Sequence, residues 1–60
     1  MVVIIKVSIP SGVVEDIDWY PNREIANRVF KKLGGTPLQL QAGNFTDEDE
    51  RLTINIRELN

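Results

Sequence analysis

The stretch Val2-Val3-Ile4-Ile5-Lys6-Val7-Ser8-Ile9 decides the fold. Its alternate members Val3, Ile5, Val7 and Ile9 fall on one side of a strand. The other side carries the polar Lys6 and Ser8 but also Val2 and Ile4, and a strand apolar on both sides over part of its length belongs in the middle of a sheet or at an interface. The far end of the chain repeats the two-residue period, with Leu52, Ile54 and Ile56 alternating with Thr53, Asn55 and Arg57. Between them Ile25, Ala26, Val29, Phe30 and Leu33 recur at helical spacing. Strand and helix faces patterned in this way can bury one another, which predicts Phe30 between a helix and a sheet.

Working outward, Pro10-Ser11-Gly12 is a turn, because proline pre-sets one dihedral and glycine supplies a positive φ. Val13 to Trp19 is the return strand, with Val13, Ile17 and Trp19 inward. Glu15 breaks its alternation and marks a bulge or an early strand end. The helix starts between Asp18 and Asn22, both good caps, with Pro21 tolerated in a first turn. It ends at Gly34-Gly35, where Lys31 and Lys32 face the negative end of the helix dipole. Thr36-Pro37 opens a new segment, and the alternation of Leu38, Leu40 and Ala42 with Gln39 and Gln41 predicts a third strand. Gly43 to Glu50 is a polar connection, and Leu52 to Leu59 the fourth strand. The expected architecture is α+β: one domain over residues 1–60, with a small single-layer four-stranded sheet and one helix on one face, in the order ββαββ.

That order resembles the β-grasp arrangement of ubiquitin and the small sulfur-carrier proteins. The residues that carry the resemblance are the opening hairpin Val2 to Trp19, the helix ending Lys32-Leu33-Gly34, the stretch Leu38 to Asn44 and the strand Leu52 to Ile56. The resemblance implies that the first and last strands lie parallel in the centre of the sheet. Carrier members end in a glycine pair, whereas this chain ends Glu58-Leu59-Asn60, so carrier chemistry is not expected; a fold does not bring its function with it. A plain antiparallel ββαββ sheet satisfies the same pattern.

Sixty residues lie near the lower limit for folding without a staple, since a chain this short buries only about 60% of the surface its unfolded form exposes. The apolar residues allow a core of roughly twenty side chains at ~2 kcal/mol each, against ordering costs of about 1.5 kcal/mol per residue. Cysteine and histidine are both absent. Disulfides and thiolate chemistry are therefore excluded, and zinc would have only carboxylates as ligands. Oligomerisation is the remaining source of extra stability. The longest apolar run, Met1 to Ile5, is too short for a signal-peptide core or a membrane span, so the expected compartment is the cytoplasm. A formal net charge of −2 argues against a general polyanion binder.

No catalytic constellation stands out: Ser8 and Ser11 have no histidine to pair with, and Asp16 and Asp18 on one side of a strand are ordinary acidic residues of an exposed hairpin. No enzyme activity, cofactor or metal site is expected. Asp47-Glu48-Asp49-Glu50 is the densest charge feature. Asp47, Glu48 and Asp49 are candidate protein contacts, although a solvated connecting loop, with Thr46 capping one short turn, is the simpler reading. Arg23, Asn27, Arg28, Lys31 and Lys32 form a polar helix stripe opposite the apolar face. That stripe is either a solvated face or a contact for nucleic-acid phosphates. Arg23-Glu24-Ile25-Ala26 would suit the first helix of a helix-turn-helix, but the predicted strand after Pro37 leaves no second helix. Trp19 is expected in the core and Tyr20 on the surface as a contact. Val2 and Ile4, on the side the helix leaves open, form an apolar spot rimmed by Lys6, Ser8, Gln39, Gln41, Thr53, Asn55 and Arg57, which is how a modest interface looks. The expected function is a small protein-interaction domain that binds another protein or forms a homodimer. Domains of this kind serve as inhibitors, adaptors or accessory proteins, often in phage or plasmid genomes. A nucleic-acid-binding domain using the helix stripe is the alternative.

Overall fold

The computed structural model describes residues 1–59. Its elements are β1 (Val2–Ser8), β2 (Val14–Tyr20), α1 (Arg23–Lys32), α2 (Pro37–Ala42), β3 (Asn44–Asp47) and β4 (Leu52–Glu58). The strands make one sheet in the order β2-β1-β4-β3. Strand β1 is central, as its two apolar sides require. Every neighbouring pair is antiparallel, including β1 with β4. Of the two sheets the sequence allows, the antiparallel one forms, and the parallel central pair implied by the β-grasp resemblance does not.

Local chemistry explains most element boundaries. In the first turn Ser8 N–H donates to the Val13 carbonyl at 2.8 Å and Gly12 N–H to the Ser8 carbonyl at 2.9 Å, with Gly12 at φ +76°. Lys6 lies opposite Asp16 and Val7 opposite Val14, so Glu15 is the extra residue of a bulge. Asn22 caps α1, its Oδ1 accepting from Ile25 N–H at 3.0 Å. At the other end Gly34 N–H donates to the Lys31 carbonyl and Gly35 N–H to the Phe30 carbonyl, at 3.0 and 3.1 Å, while Gly34 takes φ +116°. This is a Schellman closure, which needs a residue tolerant of positive φ just beyond the helix.

The segment expected as a third strand is a helix. Thr36 and Gln39 form a reciprocal capping box: Gln39 N–H donates to Thr36 Oγ1 at 3.2 Å, and Thr36 N–H donates to Gln39 Oε1 at 2.9 Å. Pro37 occupies the first turn, where its missing N–H costs nothing. Of the alternating set, Leu40 packs against the core while Leu38 is 78% exposed. The third strand comes later, within the stretch expected as a polar connection, and Phe45 is its buried residue. Two helices therefore lie on the sheet rather than one, and the order is ββααββ.

The larger correction concerns which face they cover. Ile4 pairs with Ile56, Lys6 with Ile54, and Val2 with Tyr20 and Glu58; directly opposed residues share a face. Val2, Ile4, Ala26, Phe30, Phe45, Ile54 and Ile56 form the core, with Tyr20, Val29, Leu33, Leu40 and Leu52 packed against it. The Phe30 and Phe45 rings meet edge to face at 5.1 Å between centroids. Val2 and Ile4 are thus under the helices, 1% exposed, and Val3, Ile5 and Val7 face the other way. Lys6 and Ser8 lie on the helix side as well, whereas Thr53, Asn55 and Arg57 are on the open side as expected. Among the described residues the buried apolar set adds only Val3 to the core cluster, far short of twenty side chains.

Candidate protein-interaction face

The open side of the sheet divides in two. Val3 pairs with Trp19 and Ile5 with Ile17, and beyond the bulge Val7 pairs with Val14. These side chains make an apolar stripe along β1 and β2. On the other half, Thr53, Asn55 and Arg57 of β4 share the face with Asn44 and Thr46 of β3. Trp19 is 57% exposed, Val14 50% and Ile17 47%, although each stands beside apolar neighbours. Val3 is 2% exposed on this face, set between its cross-strand partners Trp19 and Arg57. Arg57 is held at the rim, its Nη1 donating to the carbonyls of Ile56 and Gly43 at 3.2 and 3.4 Å.

The two aromatics at the end of β2 occupy the reverse of their expected positions. Trp19 is on the open face, and Tyr20 is half-buried against the core on the helix side. Burial raises the Tyr20 hydroxyl above its ordinary pKa of 10.0, and the carboxylates of Asp18 and Asp16 on the same side of β2 add to the rise.

The other candidates lie apart from this stripe. Asp47 closes β3, and its Oδ1 accepts from Glu50 N–H at 3.2 Å. Glu48, Asp49 and Glu50 are exposed in the turn to β4, which Arg51 completes at φ +56°. On α1, Arg23 Nε donates to Asn27 Oδ1 at 3.0 Å and its guanidinium lies 3.9 Å from the Glu58 carboxylate. Arg28 pairs with Glu24 at 2.9 Å. Lys31 and Lys32 are exposed in the last turn, outside both ion pairs. A second helix does follow α1, contrary to expectation, but α2 carries no cationic residue. Among the described residues no group of three or more Asp or Glu side chains is placed to hold a metal ion, and no helix is long and apolar enough to cross a membrane.

No protein-family model, curated protein or solved structure matches this chain. A contiguous apolar stripe with a polar rim is the usual composition of a protein contact, and tryptophan is prominent among residues that carry binding energy. Sequence reasoning expected an apolar spot at Val2 and Ile4 on the open side, whereas both are buried under the helices and Ile17 and Trp19 are exposed there instead. The alternation of Ile17 and Trp19 with Asp16 and Asp18 along β2 was the signal that these two share one side.

Proposed function

We propose that this chain is a small, non-enzymatic protein-interaction domain that docks on a partner through the sheet face its helices leave open. The exposed pair Ile17 and Trp19, continuous with Val3, Ile5 and Val7, carries this reading. An inhibitor, adaptor or accessory subunit would work in this way, and the lack of cysteine suits a reducing compartment such as the cytoplasm. In the helix stripe of the nucleic-acid alternative, Arg23 and Arg28 are each matched by a glutamate, which leaves Lys31 and Lys32 as its cations outside those pairs.

Capture from a lysate of the source cells tests the proposal. Wild type should retain a specific protein that Ile17→Thr/Trp19→Ser loses while still melting cooperatively. Equal capture by both forms would defeat it. Sedimentation across a concentration range identifies the case in which the partner is a second copy. A retained nucleic acid, lost steeply with salt, would move the function to α1.

A further inference from the structure

We propose that the free edge of β2 receives an extended segment of the partner as a fifth strand, whose side chains alternate between cationic and apolar. The inference rests on the protein-interaction reading only in that Ile17 and Trp19 belong to both surfaces.

Three observations carry it. First, β2 pairs with β1 on one side only, and beyond the bulge at Glu15 its regular stretch from Asp16 to Trp19 is exposed. Such an edge presents a row of unpaired N–H and C=O groups, the template used in strand addition. The opposite edge, β3, has four residues and runs directly into the acidic turn.

Second, the side chains of β2 are sorted by charge across the sheet. Asp16 and Asp18, opposite Lys6 and Ile4, project to the helix side. Ile17 and Trp19 project to the open side. None of Glu15, Asp16 and Asp18 is in an ion pair among the described residues. An added strand with Lys or Arg on the helix side and apolar residues on the open side satisfies both rows, because directly opposed opposite charges and aromatic–aliphatic pairs are favourable.

Third, the same charges select against a second copy at this edge. Two β2 strands paired about a two-fold axis would bring the acidic residues of each copy along one seam, and like charges across a strand pair destabilise it. Acidic side chains on an edge strand block self-assembly and leave a basic strand as the complementary occupant.

The test titrates the full chain with a short synthetic peptide of alternating lysine and valine. Controls are the glutamate–valine analogue and the lysine–valine peptide N-methylated at every amide. Emission of the single tryptophan and hydrogen exchange of the β2 amides are the readouts. The lysine–valine peptide should shift the emission and slow exchange along β2. In Asp16→Lys/Asp18→Lys its affinity should fall about tenfold or more, with preference passing to the glutamate–valine peptide. Both positions are exposed, so this variant should fold, with a somewhat lower melting temperature because Asp16 stands opposite Lys6, and a cooperative melt would show that it does. Equal binding of the N-methylated peptide would reduce the effect to charge attraction and overturn the proposal, as would unprotected β2 amides or a wild-type preference for the glutamate peptide. Those results leave the open-face capture experiment untouched, so the two readings fail separately.

Discussion

At the scale of single residues, the tightest constraint is the approach of Gly35 to Phe30. A Cβ built on Gly35 would sit well inside van der Waals contact with Cδ2 and Cε2 of the Phe30 ring, and that ring is 0% exposed. It cannot swing into solvent, so Gly35→Ala must displace the centre of the core. The expected loss is about 3 kcal/mol, the upper part of the range for overpacking, measured as a lower urea midpoint. A loss below roughly 0.5 kcal/mol, typical of surface changes, would mean that the ring repacks freely. Tyr20 gives a second residue-scale expectation. Its raised pKa means that the folded and unfolded chains hold the phenolic proton equally below about pH 10, while above it the unfolded chain releases the proton first. Stability from this group is therefore complete below the unfolded pKa and is lost as pH rises through the folded value. Tyr20→Phe should flatten that decline, and matching alkaline unfolding profiles for the two proteins would contradict the assignment. The reversal of Trp19 and Tyr20 shows what residue type leaves undecided. Both are large, both suit a small core, and their places depend on which side of β2 the helices occupy.

Among the elements, α1 was legible because ten residues repeat the helical period nearly three times and both ends carry capping chemistry, Asn22 before and Gly34-Gly35 after. Helix α2 was not. Six residues, Pro37–Ala42, span less than two helical turns, too short for the period to outweigh an apparent alternation of Leu38, Leu40 and Ala42. The capping residues Thr36 and Gln39 were the better guide. Their reciprocal bonds should matter disproportionately, since a helix of this length is not stable by propensity alone. Thr36→Ala removes the acceptor for Gln39 N–H and should cost ~1 kcal/mol. Hydrogen exchange of Leu40 and Gly43, whose N–H groups donate to Thr36 and Gln39 carbonyls at 2.8 Å, should accelerate more than exchange within β1. Uniform acceleration through the domain would show that α2 opens only with the whole fold.

For the molecule as a whole, the missing information lay in the register between its two ends. The β1–β2 hairpin was legible in outline from local sequence, with Val3, Ile17 and Trp19 sharing a face, but the strand begins one residue later than expected and Val14 rather than Val13 stands opposite Val7. What could not be read was whether that face or its opposite meets Ile54 and Ile56, because a shift of one residue between β1 and β4 exchanges the two faces. Nothing local fixes it: the pairing of Val2 with Glu58 and Ser8 with Leu52 spans nearly the full chain. That same central seam ends with Leu59 N–H donating to the Met1 carbonyl at 2.8 Å, so Met1 and Leu59 are neighbours. The consequence is kinetic. The costliest loop to close in folding is the one that joins β1 to β4, and its closure assembles Val2, Ile4, Ile54 and Ile56 together. In a circular permutant linked from Asn60 to Met1 and opened between Ser11 and Gly12, β3, β4 and β1 become a continuous meander, but β2 and β1 move to opposite ends of the chain and their pairing becomes the long closure. Contact order is then nearly unchanged, so such a chain should keep its strand pairing and refold at a rate close to that of wild type. Much faster refolding would show that the closure between β1 and β4 alone limits the rate.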